Sequence, residues 1–153
     1  MLIASNLKGA VMAKAGMFIE DLKVGQTGEM TKTVTERDIQ LFAEVSNDTN
    51  PVHLDETYAK TTMFKTRIAH GMLGAAFISA VFGTVMPGPG TIYMSQNLRF
   101  KAPVKIGDAV TAKCTVTEID LAKKRVKFDT QCLVGGKPVI EGDALLMVPS
   151  RSG

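Results

Sequence analysis

Apolar and polar residues alternate with a period of two across residues 109–119. Val110, Ala112, Cys114, Val116 and Glu118 fall on one side, and Thr111, Lys113, Thr115 and Thr117 on the other. That is the pattern of a strand with one buried face. Residues 125–134 and 138–148 read as two more strands, joined through the hairpin signal Gly135-Gly136. Residues 91–100 and 29–34 complete the set of predicted strands.

The period changes to that of a helix after residue 34. Thr35 and Asp38 form a Thr-x-x-Asp start signal, and Ile39, Phe42 and Ala43 follow at helical spacing. The helix is expected to stop near Ser46, because Asn47, Asp48 and Asn50 are weak helix formers and Pro51 pushes Asn50 out of helical geometry. Asp48 and His53 therefore fall in a loop or short irregular turns. Residues 58–64 suggest a further short helical stretch. Residues 71–86 are apolar nearly all round, the signature of a helix surrounded by protein, and Pro87-Gly88-Pro89-Gly90 ends it. One buried helix followed by long antiparallel strands predicts an α+β layer, with the sheet wrapped around the helix.

Composition narrows the picture. The 153 residues fit one domain, taken as residues 18–150 behind an N-terminal appendage, 1–17. Lys8 and Lys14 interrupt the apolar stretch of that appendage, so no signal-peptide core forms. The longest apolar run has 16 residues, short of the roughly 18 that suggest a membrane span. No membrane partner is expected, and a cytoplasmic location is. The net charge of +3 and the lack of a dense basic tract argue against nucleic acid. Between residues 97 and 137 nine basic residues face four acidic ones. They are solvated strand faces, or a few of them meet the phosphates of a nucleotide-bearing carrier. Cys114 and Cys132 lack metal-ligand spacing and read as reduced, half-buried strand residues.

His53 and His70 are the only histidines. The densest polar cluster is Asp48-Thr49-Asn50-Pro51-Val52-His53, a carboxylate and an imidazole on a rigid turn. Two such groups with separated pKa values suit proton transfer; the same residues also make an ordinary solvated turn. Gly71, just before the apolar helix, leaves an unobstructed N–H at a helix start, where developing negative charge can be held. It reads equally as a plain glycine helix start. Ser79, inside that helix, either back-bonds to the carbonyl four residues earlier or orients a ligand.

Taken together, these segments resemble the MaoC-like (R)-specific enoyl-CoA hydratase family. Its motif, Asp-x-Asn-Pro-x-His followed by His-Gly-Met-Leu, is matched by residues 48–53 and 70–73. Residues 87–93 and 100–104 also resemble the family. The resemblance runs from about residue 18 to the end. It implies a hot-dog fold, with a long helix wrapped by an antiparallel sheet. It further implies Asp48 and His53 as the catalytic pair, Gly71 as the oxyanion-hole donor, and Asn50 and Ser79 as positioning residues. The implied reaction is reversible addition of water to a trans-2-enoyl-CoA, without metal or other cofactor, in at least a homodimer.

Three other readings remain open at this stage: a hot-dog thioesterase, an acyl-carrier-protein dehydratase and a non-catalytic acyl-thioester binding module. The first is disfavoured because residues 71–86 contain no Asp or Glu. Chain length and pathway, polyhydroxyalkanoate supply or fatty-acid metabolism among them, are not fixed by the sequence.

Overall fold

The computed structural model describes residues 15–153. A single 3-10 turn, Ile19–Asp21, precedes β1 (Thr27–Thr33), α1 (Glu36–Ser46), α2 (Pro51–Leu54), α3 (Glu56–Ala59) and α4 (Gly71–Ala80). Four strands follow: β2 (Ile92–Phe100), β3 (Ala109–Asp120), β4 (Arg125–Val134) and β5 (Lys137–Met147). All five strands form one antiparallel sheet in the order β1-β3-β4-β5-β2. Of the expected appendage, residues 1–14 lie outside the described residues. Met17 donates its N–H to the Pro87 carbonyl at 2.8 Å and packs against the core.

The sheet curls around α4 because one face of each central strand is apolar. Val110, Ala112, Cys114 and Val116 of β3 are buried, as are Val126, Phe128 and Cys132 of β4 and Ile140, Ala144 and Leu146 of β5. They meet Leu73, Phe77, Ile78 and Val81. Both cysteines are fully buried rather than half-buried, and burial pushes their thiols up to about 12, which keeps them protonated. The expected alternation in β3 stops at Val116: a bulge between Val116 and Glu118 turns Glu118 outward, onto an exposed ion pair with Lys127 at 3.0 Å. The Gly135-Gly136 hairpin forms with φ of 57° and 77°, the left-handed pair a tight two-residue turn requires.

Two expected helices differ. The stretch anticipated at 58–64 is the shorter α3 plus turns, because the hydroxyls of Thr61 and Thr62 donate to the carbonyls of Tyr58 and Ala59 in place of a continued helix. The helix anticipated at 71–86 is α-helical only to Ala80 and continues as a π turn, Val81–Val85, closed by the Met86 N–H on the Val81 carbonyl at 2.9 Å. Nor is it enclosed all round in the single chain: Met72, Ala76, Ser79 and Gly83 form an exposed stripe along it. The back-bond considered for Ser79 is made instead by Thr84, to the Ala80 carbonyl at 2.7 Å.

Candidate active site

The site begins with the ends of α1. Thr35 and Asp38 form the expected capping box: the Thr35 hydroxyl accepts from the Asp38 N–H at 3.1 Å, and the Asp38 carboxylate from the Thr35 N–H at 2.9 Å. At the other end Asn47 takes a left-handed conformation, φ 63°, and reverses the chain. The following turn is held by its own polar side chains. Ser46 Oγ accepts from the Asp48 N–H, Asp48 Oδ1 from the Asn50 N–H, and Asn50 Oδ1 from the Val52 N–H, at 3.1, 3.2 and 3.1 Å. Asn50 caps α2, and Pro51 occupies its first position. This brief helix, where only a loop or turns were expected, carries His53 inward.

His53 is 8% exposed and His70 3%. Their rings stack with centroids 3.9 Å apart and planes at 29°. His53 Nδ1 lies 2.8 Å from the Ile68 carbonyl oxygen, and His70 Nε2 lies 2.9 Å from that of Asp48. A carbonyl only accepts, so each of these nitrogens carries the proton and donates it. His53 Nε2 and His70 Nδ1 keep lone pairs, and the latter is buried without a partner. Burial holds the His53 imidazole below its ordinary 6.5; the Ile68 carbonyl opposes that depression, His70 adds to it, and Asp48 opposes it too.

Asp48 is exposed, yet its carboxylate and the two histidines each bring one nitrogen or oxygen to within 4.8 Å of the others. Beside them α4 starts. The Gly71 N–H has no hydrogen-bond partner among the described residues, and the Phe100 ring packs so closely that an added Cβ would meet its Cε1 at 2.7 Å. A cavity of about 420 Å³ opens here, lined by His53, His70 and Gly71 at its polar end and by Phe77, Val110 and Ile140 among its apolar walls. Phe100 also borders a more open groove on the other side of α4, with Met72 and Tyr93.

The structure brings Asp48 to within 4.8 Å of His53 and His70, and lines one cavity with His53, His70 and Gly71, which Asp48 itself does not line. Asn50 holds the turn through its cap and does not line the cavity. Ser79 lies on the outward stripe of α4, eight positions beyond Gly71, about 12 Å along a helix. Two contributors escaped the sequence reading. Arg67 donates from Nε to the His53 carbonyl at 2.7 Å while its two terminal nitrogens grip Glu36 at 2.8 and 2.9 Å. His70, read from the sequence as part of the family motif and assigned no role in the reaction, reaches back 22 residues to Asp48. Neither contact has a local sequence signature.

An antiparallel sheet in the order β1-β3-β4-β5-β2 wrapped around a central helix is a hot-dog fold. The chain belongs to the MaoC like domain family, which matches residues 21–142. It is 61% identical over 134 residues to an (R)-specific enoyl-CoA hydratase of Rhodospirillum rubrum, covering 88% of this chain and 93% of that protein. The solved R-hydratase PhaJ1 of Pseudomonas aeruginosa, unliganded, superposes with a TM-score of 0.84 at 52% identity, over 89% of this chain and 88% of the other. The (R)-hydratase of Aeromonas caviae involved in PHA biosynthesis superposes with a TM-score of 0.82 at 39% identity, over 85% and 99%.

Proposed function

We propose that this enzyme is an (R)-specific enoyl-CoA hydratase, adding water reversibly to trans-2-enoyl-CoA to give (R)-3-hydroxyacyl-CoA. The observation that carries the reading is the convergence of the Asp48 carboxylate and the buried His53 beside the unpartnered Gly71 N–H. In the mechanism that fits, one water sits between the carboxylate and His53 Nε2. The thioester oxygen accepts from the Gly71 N–H at the positive end of α4, where negative charge develops as the enolate forms. Water loses a proton to the pair, its oxygen bonds to C3, and C2 receives a proton. His53 serves as acceptor only while neutral, and burial favours that state.

The Asp48–His53–His70 cluster has metal-ligand residue types. An ion shared by both rings would have to lie in the plane of each, however, and rings stacked 3.9 Å apart with planes at 29° share no such point close to both. A water site without metal or other cofactor is the better fit. The apolar surface beside Gly71 suits an acyl chain.

The open stripe of α4 adjoins the β2 edge, where Ile92, Tyr93, Met94 and Phe100 are 55%, 37%, 45% and 53% exposed. A second copy joining at that edge would cover them and enclose Ser79, which supports a homodimer in which Ser79 contributes to substrate positioning. Light scattering at micromolar concentration tests this: a monomer contradicts it. We place the enzyme in the cytoplasm; no helix among the described residues is long and apolar enough to cross a membrane.

The decisive experiment is loss of conjugated absorbance on mixing with crotonyl-CoA, with Asp48→Asn as control. Unchanged absorbance with crotonyl-CoA and with longer enoyl-CoAs overturns the proposal.

A further inference from the structure

We infer that His70 is a positioning residue for the reaction, fixing the Asp48 backbone through its Nε2–H and the His53 ring through its stack. The inference rests on the hydratase reading above. Three parts of the site meet at this one side chain. Its Nε2–H donates to the Asp48 carbonyl at 2.9 Å. Its ring lies against His53, centroids 3.9 Å apart. Its own C-terminal neighbour is Gly71, because His70 is the N-cap of α4. The ring is held in turn by Phe42 of α1, at 4.9 Å. His70 thus ties the carboxylate-bearing turn, the imidazole and the helix start to one rigid group.

The chemistry says why an imidazole stands here. His70 Nδ1 is buried with no partner, and an unpaired buried acceptor is unfavourable. A phenylalanine would stack on His53 without that orphan nitrogen, but it has no donor for the Asp48 carbonyl. A glutamine would donate, but it has no ring to stack. Of these three the imidazole alone performs both tasks, at the cost of one unsatisfied lone pair. The usual helix-start role is not what keeps it, since its side chain makes no cap bond to α4.

The test uses His70→Phe and His70→Gln in the full chain, with crotonyl-CoA. His70→Phe keeps the stack and removes the donor. Its kcat is expected to fall by about 10- to 100-fold, the scale of a small misplacement of reacting groups, with KM changed less than about threefold. The chain holds two histidines, so this variant leaves His53 alone in imidazole NMR spectra. The groups facing His53 are Asp48, His70 and the Ile68 carbonyl. Removal of His70 is expected to raise the His53 titration midpoint while Nδ1 stays protonated toward Ile68. A purely structural role would lower Tm and leave kcat of the folded variant unchanged.

His70→Gln, which restores a donor, is expected to recover part of the lost kcat. A His70→Phe enzyme with kcat within about twofold of wild type, or a loss in KM alone, overturns the inference. If His70→Phe does not fold, His70→Gln decides: kcat within about twofold of wild type overturns it, and a loss of about tenfold at unchanged KM supports it. Wild-type protein inactive on all enoyl-CoAs would instead refute the hydratase reading, a separate outcome.

Discussion

Residues 46–55 are shaped by polar side chains bonding to nearby backbone. Ser46, Asp48, Asn50 and Asp55 each accept from an N–H two or three residues ahead, and most of the stretch is exposed. The sheet behind α4 is shaped by burial. Phe128, Ile78, Val116 and Leu146 are at most 1% exposed, and Phe128 meets Phe82 edge-on at 4.8 Å. The first region can hold a carboxylate in water and an imidazole out of it within one turn of chain, which a close-packed core could not do. The second supplies the stability that lets the first remain polar. If that division holds, substitutions in the turn remove activity without unfolding, and substitutions in the sheet do the reverse.

The largest effect is expected at Asp48. Asn in its place keeps an oxygen for the Asn50 N–H but cannot take a proton. Asp48→Asn should lower kcat on crotonyl-CoA by about 10²–10⁴-fold, with Tm within a degree or two of wild type. Loss of fold would show that the carboxylate is structural and would break the comparison. Next comes Phe128→Ala, which empties a fully buried site and should cost about 3–5 kcal/mol of stability in denaturant unfolding. Activity per folded molecule at low temperature should stay within about twofold.

How far each region was legible in the sequence follows the same line. The capping box of α1, the Gly135-Gly136 hairpin and the alternation of β3 as far as Val116 are local patterns, and each formed where expected. The pairing of Asp48 with His53 was suggested by the Asn50-Pro51 break and by the family motif. The π turn after Ala80 was not legible, because an apolar run has the same composition whether its bonds span four residues or five. The outward stripe of α4 was missed because small and apolar residues there match those of the inward face. The Arg67–Glu36 clamp joins residues 31 apart, and the His70–Asp48 bond spans 22; such links depend on the finished fold.

Gly74 sharpens the comparison, because it lies where sheet, helix and cavity meet. An added Cβ would stand 2.4 Å from Ile140 Cδ1, the movable end of a side chain that also lines the cavity. Overpacking of this kind costs about 1–3 kcal/mol, and about 1 kcal/mol is regained from the better helix former. Gly74→Ala should therefore lower stability by up to about 2 kcal/mol. The displaced Ile140 methyl should also reduce turnover of longer enoyl-CoAs relative to crotonyl-CoA. A gain in stability would show that Ile140 has room to move elsewhere.

The smallest effect probes how independent the turn is of the helix that leads into it. Thr35 and Asp48 make the same kind of bond, a side-chain oxygen accepting a nearby N–H, at sites one helix length apart. Thr35→Ala removes one half of the α1 capping box and should cost about 1 kcal/mol, read as a Tm lower by roughly 2–4 °C. It should leave kcat unchanged, because the far end of α1 is fixed separately, by the left-handed Asn47 and by the bonds that Ser46 and Asp48 accept from the turn's own N–H groups. A fall in kcat beyond about twofold at a temperature where the variant is fully folded would mean that fraying at residue 35 reaches Asp48. The polar turn would then owe its geometry to α1 rather than to its own hydrogen bonds.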